Sequence, residues 1–218
     1  MKKESDYLSF IKETERLKTV LRTAWLSDGS RESTAAHSWR LALLAGVMLE
    51  EFPELDGKKV LMLALVHDLG ELYDGDISAT LRPDEKEKYR KEKAALDRLA
   101  RILGGDAGER LLKLWQEYEA GETAEARLVK ALDKAETIIQ HNQGINPPDF
   151  DYEFNLEYGK KYFRREYLCQ ESPEKGETDG QTGEREWELL SGLRRQIDED
   201  TGRRIKNEDV GRRIKKEK

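Results

Sequence analysis

ALVHDLGELYDGDI, residues 64–77, joins the end of an almost wholly apolar run to a dense set of ionisable groups. The run opens with LMLALV at Leu61. It is apolar on nearly every side, the mark of a helix surrounded by other helices and not of a surface one. The pattern predicts a helix from about Lys58 to Tyr73, ending at Asp74-Gly75-Asp76. His67 and Asp68 then fall inside a buried helix, where an imidazole and an ionised carboxylate are each costly if left unpaired. A bound cation removes that cost. Glu71 lies four residues after His67 and three after Asp68, so one helical turn can aim all three at one pocket.

Two further positions belong to the same chemistry. Only three histidines occur in the chain, and His37 lies in the first turns of a second helix. Ser33 or Thr34 caps that helix, and it runs to about Glu51 before Phe52-Pro53 ends it. Alone, His37 would read as a hydrogen-bonded core residue. Asp133 sits on a later helix, opened by Thr123 and running to about Gln143. It stands beside the apolar stripe of Val129, Leu132, Ala135, Ile138 and Ile139, and therefore needs a buried cationic partner. Two histidines and two aspartates form a mixed nitrogen and oxygen set, suited to Mn²⁺, Fe²⁺, Co²⁺, Ni²⁺ or Zn²⁺ with positions left open.

Outward from these positions the chain reads as all-α. A first helix covers about Asp6 to Val20, and Ser27-Asp28-Gly29-Ser30 forms a turn. Pro83 sits well as the first residue of a long charged helix ending near Leu103, where Gly104-Gly105 stop it. Another helix follows from about Gly108 to Glu119, with Trp115 and Tyr118 facing inward. After Asn146-Pro147-Pro148 an aromatic helix from Tyr152 to Tyr167 is expected to close over the bundle. A polar loop, 171–184, should precede a last amphipathic helix carrying Trp187, Leu190, Leu193 and Ile197. The duplicated Gly202-Arg203-Arg204-Ile205-Lys206 and Gly211-Arg212-Arg213-Ile214-Lys215 read as a solvated, frayed tail. The organisation expected is a core over 1–145, a helical extension packed on it over 146–200, and a basic tail over 201–218.

Bulk properties narrow the class. Lys and Arg number 39 against 45 Asp and Glu, a net charge of −6 over 218 residues, which argues against general binding to nucleic acid or to anionic membranes. No apolar run approaches the roughly 20 residues of a membrane-spanning helix, and MKKESDYLSF lacks the apolar core of a signal peptide. A cytoplasmic protein without a membrane partner is expected. The single cysteine, Cys169, offers neither an internal disulfide nor a thiolate cluster.

His37, His67-Asp68 and Asp133, in that order, resemble the H…HD…D signature of the HD superfamily of metal-dependent phosphohydrolases. Residues 64–77 are similar to the AL.HD..E...GDI segment of its branch of 5'-deoxynucleotidases and HD-domain-containing protein 2. LKTVLRTAWL with STAAHSWRLALLA, and LLKLWQEYEAGETAEARLVKALDKAETIIQ around Asp133, extend the similarity over about residues 8–142. The resemblance implies an HD-domain helical bundle with extra C-terminal helices, in which His37, His67, Asp68 and Asp133 hold the metal. It implies that Glu71 acts on the attacking water or the leaving group, that Asp76 contacts the sugar hydroxyl or the water, and that Arg22 binds phosphate. It also allows a second cation, Mg²⁺ included, on Glu71, Asp76 and the Ile77 backbone, so the roles of these residues stay open. Arg22 without the resemblance is a solvated charge at a helix end.

The activity implied is phosphate removal from (deoxy)nucleoside 5'-monophosphates, with a homodimer built on the aromatic helix near Tyr162 or on the first helix. The alternatives are another HD-type nucleotide hydrolase, a triphosphohydrolase or phosphodiesterase, and a non-catalytic metal-binding nucleotide sensor. A triphosphate site would want more basic residues than Arg22 alone. Thr23 stands where some deoxynucleotidase relatives carry a tryptophan that shapes the sugar pocket, and Trp25 follows two residues on. His141 is expected as a partly charged imidazole at a helix C-terminus, stabilised by the last carbonyls.

Overall fold

A computed structural model describes residues 3–169 and 180–216. In chain order its elements are α1 (Lys3–Thr14), β1 (Leu21–Trp25), β2 (Arg31–Ser33), α2 (Thr34–Met48), α3 (Gly57–Val66), α4 (Glu85–Leu103), α5 (Gly105–Ala120), α6 (Ala124–Gln143), α7 (Glu153–Glu157), α8 (Arg165–Leu168) and α9 (Gly180–Lys216), with short 3₁₀ turns between several of them. The fold is helical, as composition and period implied.

The bundle is built around α6. Thr123 opens it by accepting a hydrogen bond from the Ala126 amide at 3.2 Å, which satisfies one of the free donors of the first turn. The helix then buries Leu128, Val129, Leu132, Ala135 and Ile138 against α2, α3, α5 and α9. Leu41 and Ala45 of α2 and Val60, Leu63 and Ala64 of α3 complete this core. Each fully buried Leu or Ile contributes about 1.5–3 kcal/mol. A second core joins Leu96 and Leu99 of α4 to Leu111 and Trp115 of α5 and to Leu69 and Leu72.

Several boundaries differ from the sequence reading, each for a local reason. Helix α3 stops at Val66; His67 caps it and Asp68 leaves the helical region at φ −98°, ψ 8°. A 3₁₀ turn from Leu69 to Leu72 follows, with the Glu71 amide donating to the Asp68 carbonyl at 3.0 Å. Gly70 occupies this turn because a Cβ there would lie 2.6 Å from Glu92 Cβ of α4. The stretch around Arg22 is a strand instead of a helix end: β1 pairs antiparallel with β2 across the turn at Asp28 to Ser30. Pro83 precedes α4, whose N-cap is Asp84, accepting from the Lys86 amide at 2.9 Å.

The aromatic helix expected over Tyr152–Tyr167 is broken into α7, a 3₁₀ turn and α8. Gly159, at φ 70°, reverses the chain where a Cβ would meet the Lys134 side chain at 2.6 Å. Of the loop read over 171–184, residues 171–179 lie outside the described residues, and from Gly180 the chain is already helical. The basic stretch read as a frayed tail from residue 201 continues α9. Thr201 is buried, and Arg204 donates to Tyr152 Oη and the Gly144 carbonyl, each at 3.0 Å. No helix among the described residues is long and apolar enough to cross a membrane.

One surface is unusual. Every exposed residue of α2 is apolar, namely Trp39, Leu43 and Val47, and beside them on α3 lie Leu61 and Leu65, also exposed. The spacing of i, i+4, i+8 makes one continuous stripe along α2.

Candidate metal centre and pocket

His37 from α2, His67 at the end of α3 and Asp133 from α6 meet in the interior. One ligand atom from each lies within 4.8 Å of the others, and all three residues are buried. His37 Nε2 is 3.2 Å from Asp133 Oδ1 and 3.7 Å from Asp68 Oδ2, and His67 Nε2 is 3.0 Å from Asp68 Oδ2. The second ring nitrogens are taken by the protein. His67 Nδ1 bonds the Ala64 carbonyl at 2.9 Å, and His37 Nδ1 bonds Glu136. These contacts orient the rings so that both Nε2 atoms turn inward, where a cation would take the place of any proton on them.

His67 Nε2 provides the test of whether a cation fits. It is buried and has no hydrogen-bond partner among the described residues, because Asp68 approaches closely but without hydrogen-bond geometry. Two nitrogen lone pairs and two carboxylates converging on one point match a divalent transition ion better than they match one another.

The electrostatics follow. Burial and Arg22 oppose protonation of His37, but Asp133 and Glu136 outweigh them and push its pKa up to about 9. Burial works against an ionised Asp68, yet His67, His37 and Arg22 hold it below the usual carboxylate range. Asp133 is also held low against its burial, by Lys134 and both histidines. It accepts from Tyr118 Oη and Lys134 Nζ, each at 2.8 Å. Glu71 goes the other way: burial and the charges of Asp68 and Asp76 raise it well above the usual range. Thr34 Oγ1 donates to it at 3.2 Å.

Arg22 projects from β1 into the same site and is not a solvated charge. Its Nη1 is 3.3 Å from Asp68 Oδ2 and its Nη2 donates to Thr137 Oγ1 at 3.0 Å. Burial opposes its charge, but Asp68, Asp133, Asp76 and Glu71 reinforce it. Arg22, His67, Asp68, Glu71, Asp76, Ile77 and Asp133 all line one cavity of about 990 Å³, at the upper end of ordinary ligand pockets. His37 lies just behind its wall. Thr23 and Trp25 line the cavity too, with Phe150 edge-on to Trp25 at 6.0 Å.

The model for the HD domain family matches residues 14–171. The chain belongs to the HD domain family. Within it, the chain is 41% identical over 145 residues to the 5'-deoxynucleotidase HDDC2 of Dictyostelium discoideum, 62% of this chain and 76% of that one. It is 36% identical over 138 residues to the human protein of the same name, 62% of this chain and 67% of that one. Among solved structures it resembles a predicted metal-dependent phosphohydrolase from Magnetospirillum magnetotacticum MS-1. That likeness has a TM-score of 0.65 at 30% identity and covers 93% of this chain and 94% of the other.

Sequence reasoning passed over several groups around this HD centre. Glu136, three residues after Asp133 on one face of α6, was legible from that spacing. Thr34, Tyr118 and Lys134 were not, because their partners are distant in sequence or adjacent residues on a helix, which do not ordinarily meet. Lys88 and Glu92 line the cavity from a helix that reads only as charged. Burial pushes Glu92 up to about 7, against the pull of Lys88.

His141 corrects its expectation. It is buried and bonds Asn155 Oδ1 at 2.8 Å. Burial, with Arg22, brings it down to about 4 despite that bond. A neutral native imidazole adds stability above the unfolded value of 6.5 that is lost as pH falls toward 4. Urea unfolding of wild type should therefore lose more stability between pH 7 and pH 5 than His141→Gln does, by at most about 1.4 kcal/mol per pH unit; parallel losses would refute it. For the centre itself, Mn²⁺ or Co²⁺ at about a hundred times its Kd should stabilise the chain by about 2.7 kcal/mol. Differential scanning calorimetry should show this gain abolished by a chelator and absent in His67→Ala.

Proposed function

We propose that this chain is a metal-dependent phosphohydrolase that removes phosphate from nucleoside 5'-monophosphates, deoxynucleotides included, in the cytoplasm. What carries the reading is one cavity lined by His67, Asp68 and Asp133, with His37 meeting them from behind its wall, a permanent cation at Arg22 and a carboxyl at Glu71 held toward its neutral form. The names of the relatives support the substrate class.

A divalent ion on those ligands, Mn²⁺, Co²⁺, Fe²⁺, Ni²⁺ or Zn²⁺, supplies Lewis-acid charge and an acidified water. Arg22, anchored by Thr137, offers a planar donor fork to phosphate oxygens. Glu71 exchanges a proton with the water or the leaving oxygen, its carboxyl oriented by Thr34. Asp76 and Ile77 form the wall beside Glu71, where Asp76 meets the sugar hydroxyl; a second cation such as Mg²⁺ on Glu71, Asp76 and the Ile77 carbonyl is the other use of the same groups. Trp25 and Phe150, set edge to face, offer apolar ring surface for a base to pack against. Counting basic residues does not separate monophosphates from longer phosphates, because Arg82, Lys88, Lys130 and Lys134 also line the cavity.

We further assign the outer face of α2 and α3 to a second copy of the chain. An uncharged stripe is self-complementary across a two-fold axis, and a contiguous apolar surface of this kind marks an interaction site. Of the two surfaces considered from sequence, the residues near Tyr162 line the cavity, while α1 exposes Tyr7, Leu8 and Ile11 but among charged neighbours on the same helix.

The deciding assay purifies the chain metal-free, restores Mn²⁺, Co²⁺ or Mg²⁺ singly, and follows phosphate release from ribo- and deoxyribonucleoside 5'-monophosphates, 3'-monophosphates and triphosphates. Metal-dependent release from 5'-monophosphates, reduced about 10²–10⁴-fold in Glu71→Gln, is the expected result; no release with any metal would sink the reading. For assembly, light scattering should give a dimer for wild type and a monomer for Leu43→Lys.

A further inference from the structure

The cavity has a second cationic pole that the reaction above does not use. Lys130 and Lys134 from α6 and Lys161 from the turn after Gly159 all line it. Tyrosine rings cage them. Lys130 Nζ lies 4.1 Å from the Tyr118 ring centroid, Lys134 Nζ 5.3 Å from that of Tyr158, and Lys161 Nζ 4.8 Å from that of Tyr162. Lys134 is neutralised by Asp133 at 2.8 Å. Neither Lys130 nor Lys161 has a carboxylate in ion-pair contact among the described residues.

Such a grouping is unfavourable by itself. Burial lowers the pKa of Lys130, and Lys134 and Lys161 add to that; Glu119 and Asp133 favour its charge, but burial is large enough to leave the net shift downward. Like charges gathered in a partly enclosed wall are relieved by a bound anion. The neighbouring rings favour cations at their faces, so they hold the ammonium groups in place without neutralising them.

The position of this pole is set by α6. Thr137, which anchors Arg22, lies seven residues beyond Lys130, about 10 Å along the helix axis at 1.5 Å per residue. Asp133 lies between them. The metal centre is therefore flanked by two cationic poles, Arg22 on one side and the lysine pair on the other.

We propose that Lys130 and Lys161 form a second anion subsite that holds a phosphoryl group beyond the one bound at the metal centre. The proposal rests on reading that centre as the seat of the first phosphate. The second group comes either from the substrate, as a second phosphate on the same nucleotide, or from free inorganic phosphate.

Calorimetric titration of the metal-loaded full chain with inorganic phosphate counts the sites. Two phosphates per chain are expected in wild type, with one of them weakened at least tenfold in Lys130→Met and in Lys161→Ala. Lys161 is exposed, so its truncation leaves the fold intact. One phosphate per chain in wild type, or two sites indifferent to both substitutions, would overturn the proposal. Comparing KM for a 5'-monophosphate, a 5'-diphosphate and a 3',5'-bisphosphate distinguishes the sources. A substrate phosphate lowers KM at least tenfold for the doubly phosphorylated compound that reaches the lysines, and Lys161→Ala erases that preference. Free phosphate leaves the KM values equal, and its inhibition of turnover weakens in the variant. The phosphate count needs no turnover, so a chain that hydrolyses none of these compounds would still test the subsite.

Discussion

An ionised aspartate in the middle of the most enclosed helix is the constraint on which the rest of the arrangement depends. Asp133 sits on α6 among Val129, Leu132 and Ile138, where an unmatched carboxylate would cost several kcal/mol. Positive charge and donors must therefore converge on it from every neighbouring element. His37 arrives from α2, Tyr118 from α5, His67 from the end of α3, and Lys134 from α6 itself. Each of these is costly to bury alone, and together they make a pocket in which a divalent ion is the natural completion.

The end of α3 contributes to the same centre. The chain leaves the helical region at Asp68, whose carboxylate lies near both histidines and Arg22, and turns the following residues toward α4. Gly70 then lets α4 approach within contact of the turn. That approach presents Lys88 and Glu92 to the cavity and excludes water from around Glu71, and the burial in turn keeps the Glu71 carboxyl toward its neutral form. Backbone geometry and proton affinity are here two results of one packing decision.

The outer half of the cavity comes from the chain after Gly144, a stretch that the HD domain model still matches as far as residue 171. Phe150, Tyr158 and Tyr162 line it, and α9 fixes this segment from behind, with Arg194 donating to the carbonyls of Asn155, Leu156 and Tyr158. The aromatic stretch thus serves as a wall and not as a lid of one helix. Its break at Gly159 opens the turn that carries Lys161 and Tyr162 along the cavity wall.

By itself the sequence determined the helical class, the N-caps at Ser33 and Thr123, and the residue types of the centre. Helical period and the cost of burying His67, Asp68 and Asp133 are local properties, readable one segment at a time. It also carried Glu136, three residues from Asp133, for any reader who followed that face. Only the tertiary structure decided that Arg22 lies on a strand pointing into the pocket, that His141 is neutral, that Thr201 and Arg204 belong to a packed helix, and that Lys130 and Lys161 line one cavity. Those facts depend on which distant side chains meet and on how much water their meeting removes. Neither propensity nor spacing encodes that, because burial energy belongs to the assembled core and not to any one segment of the chain.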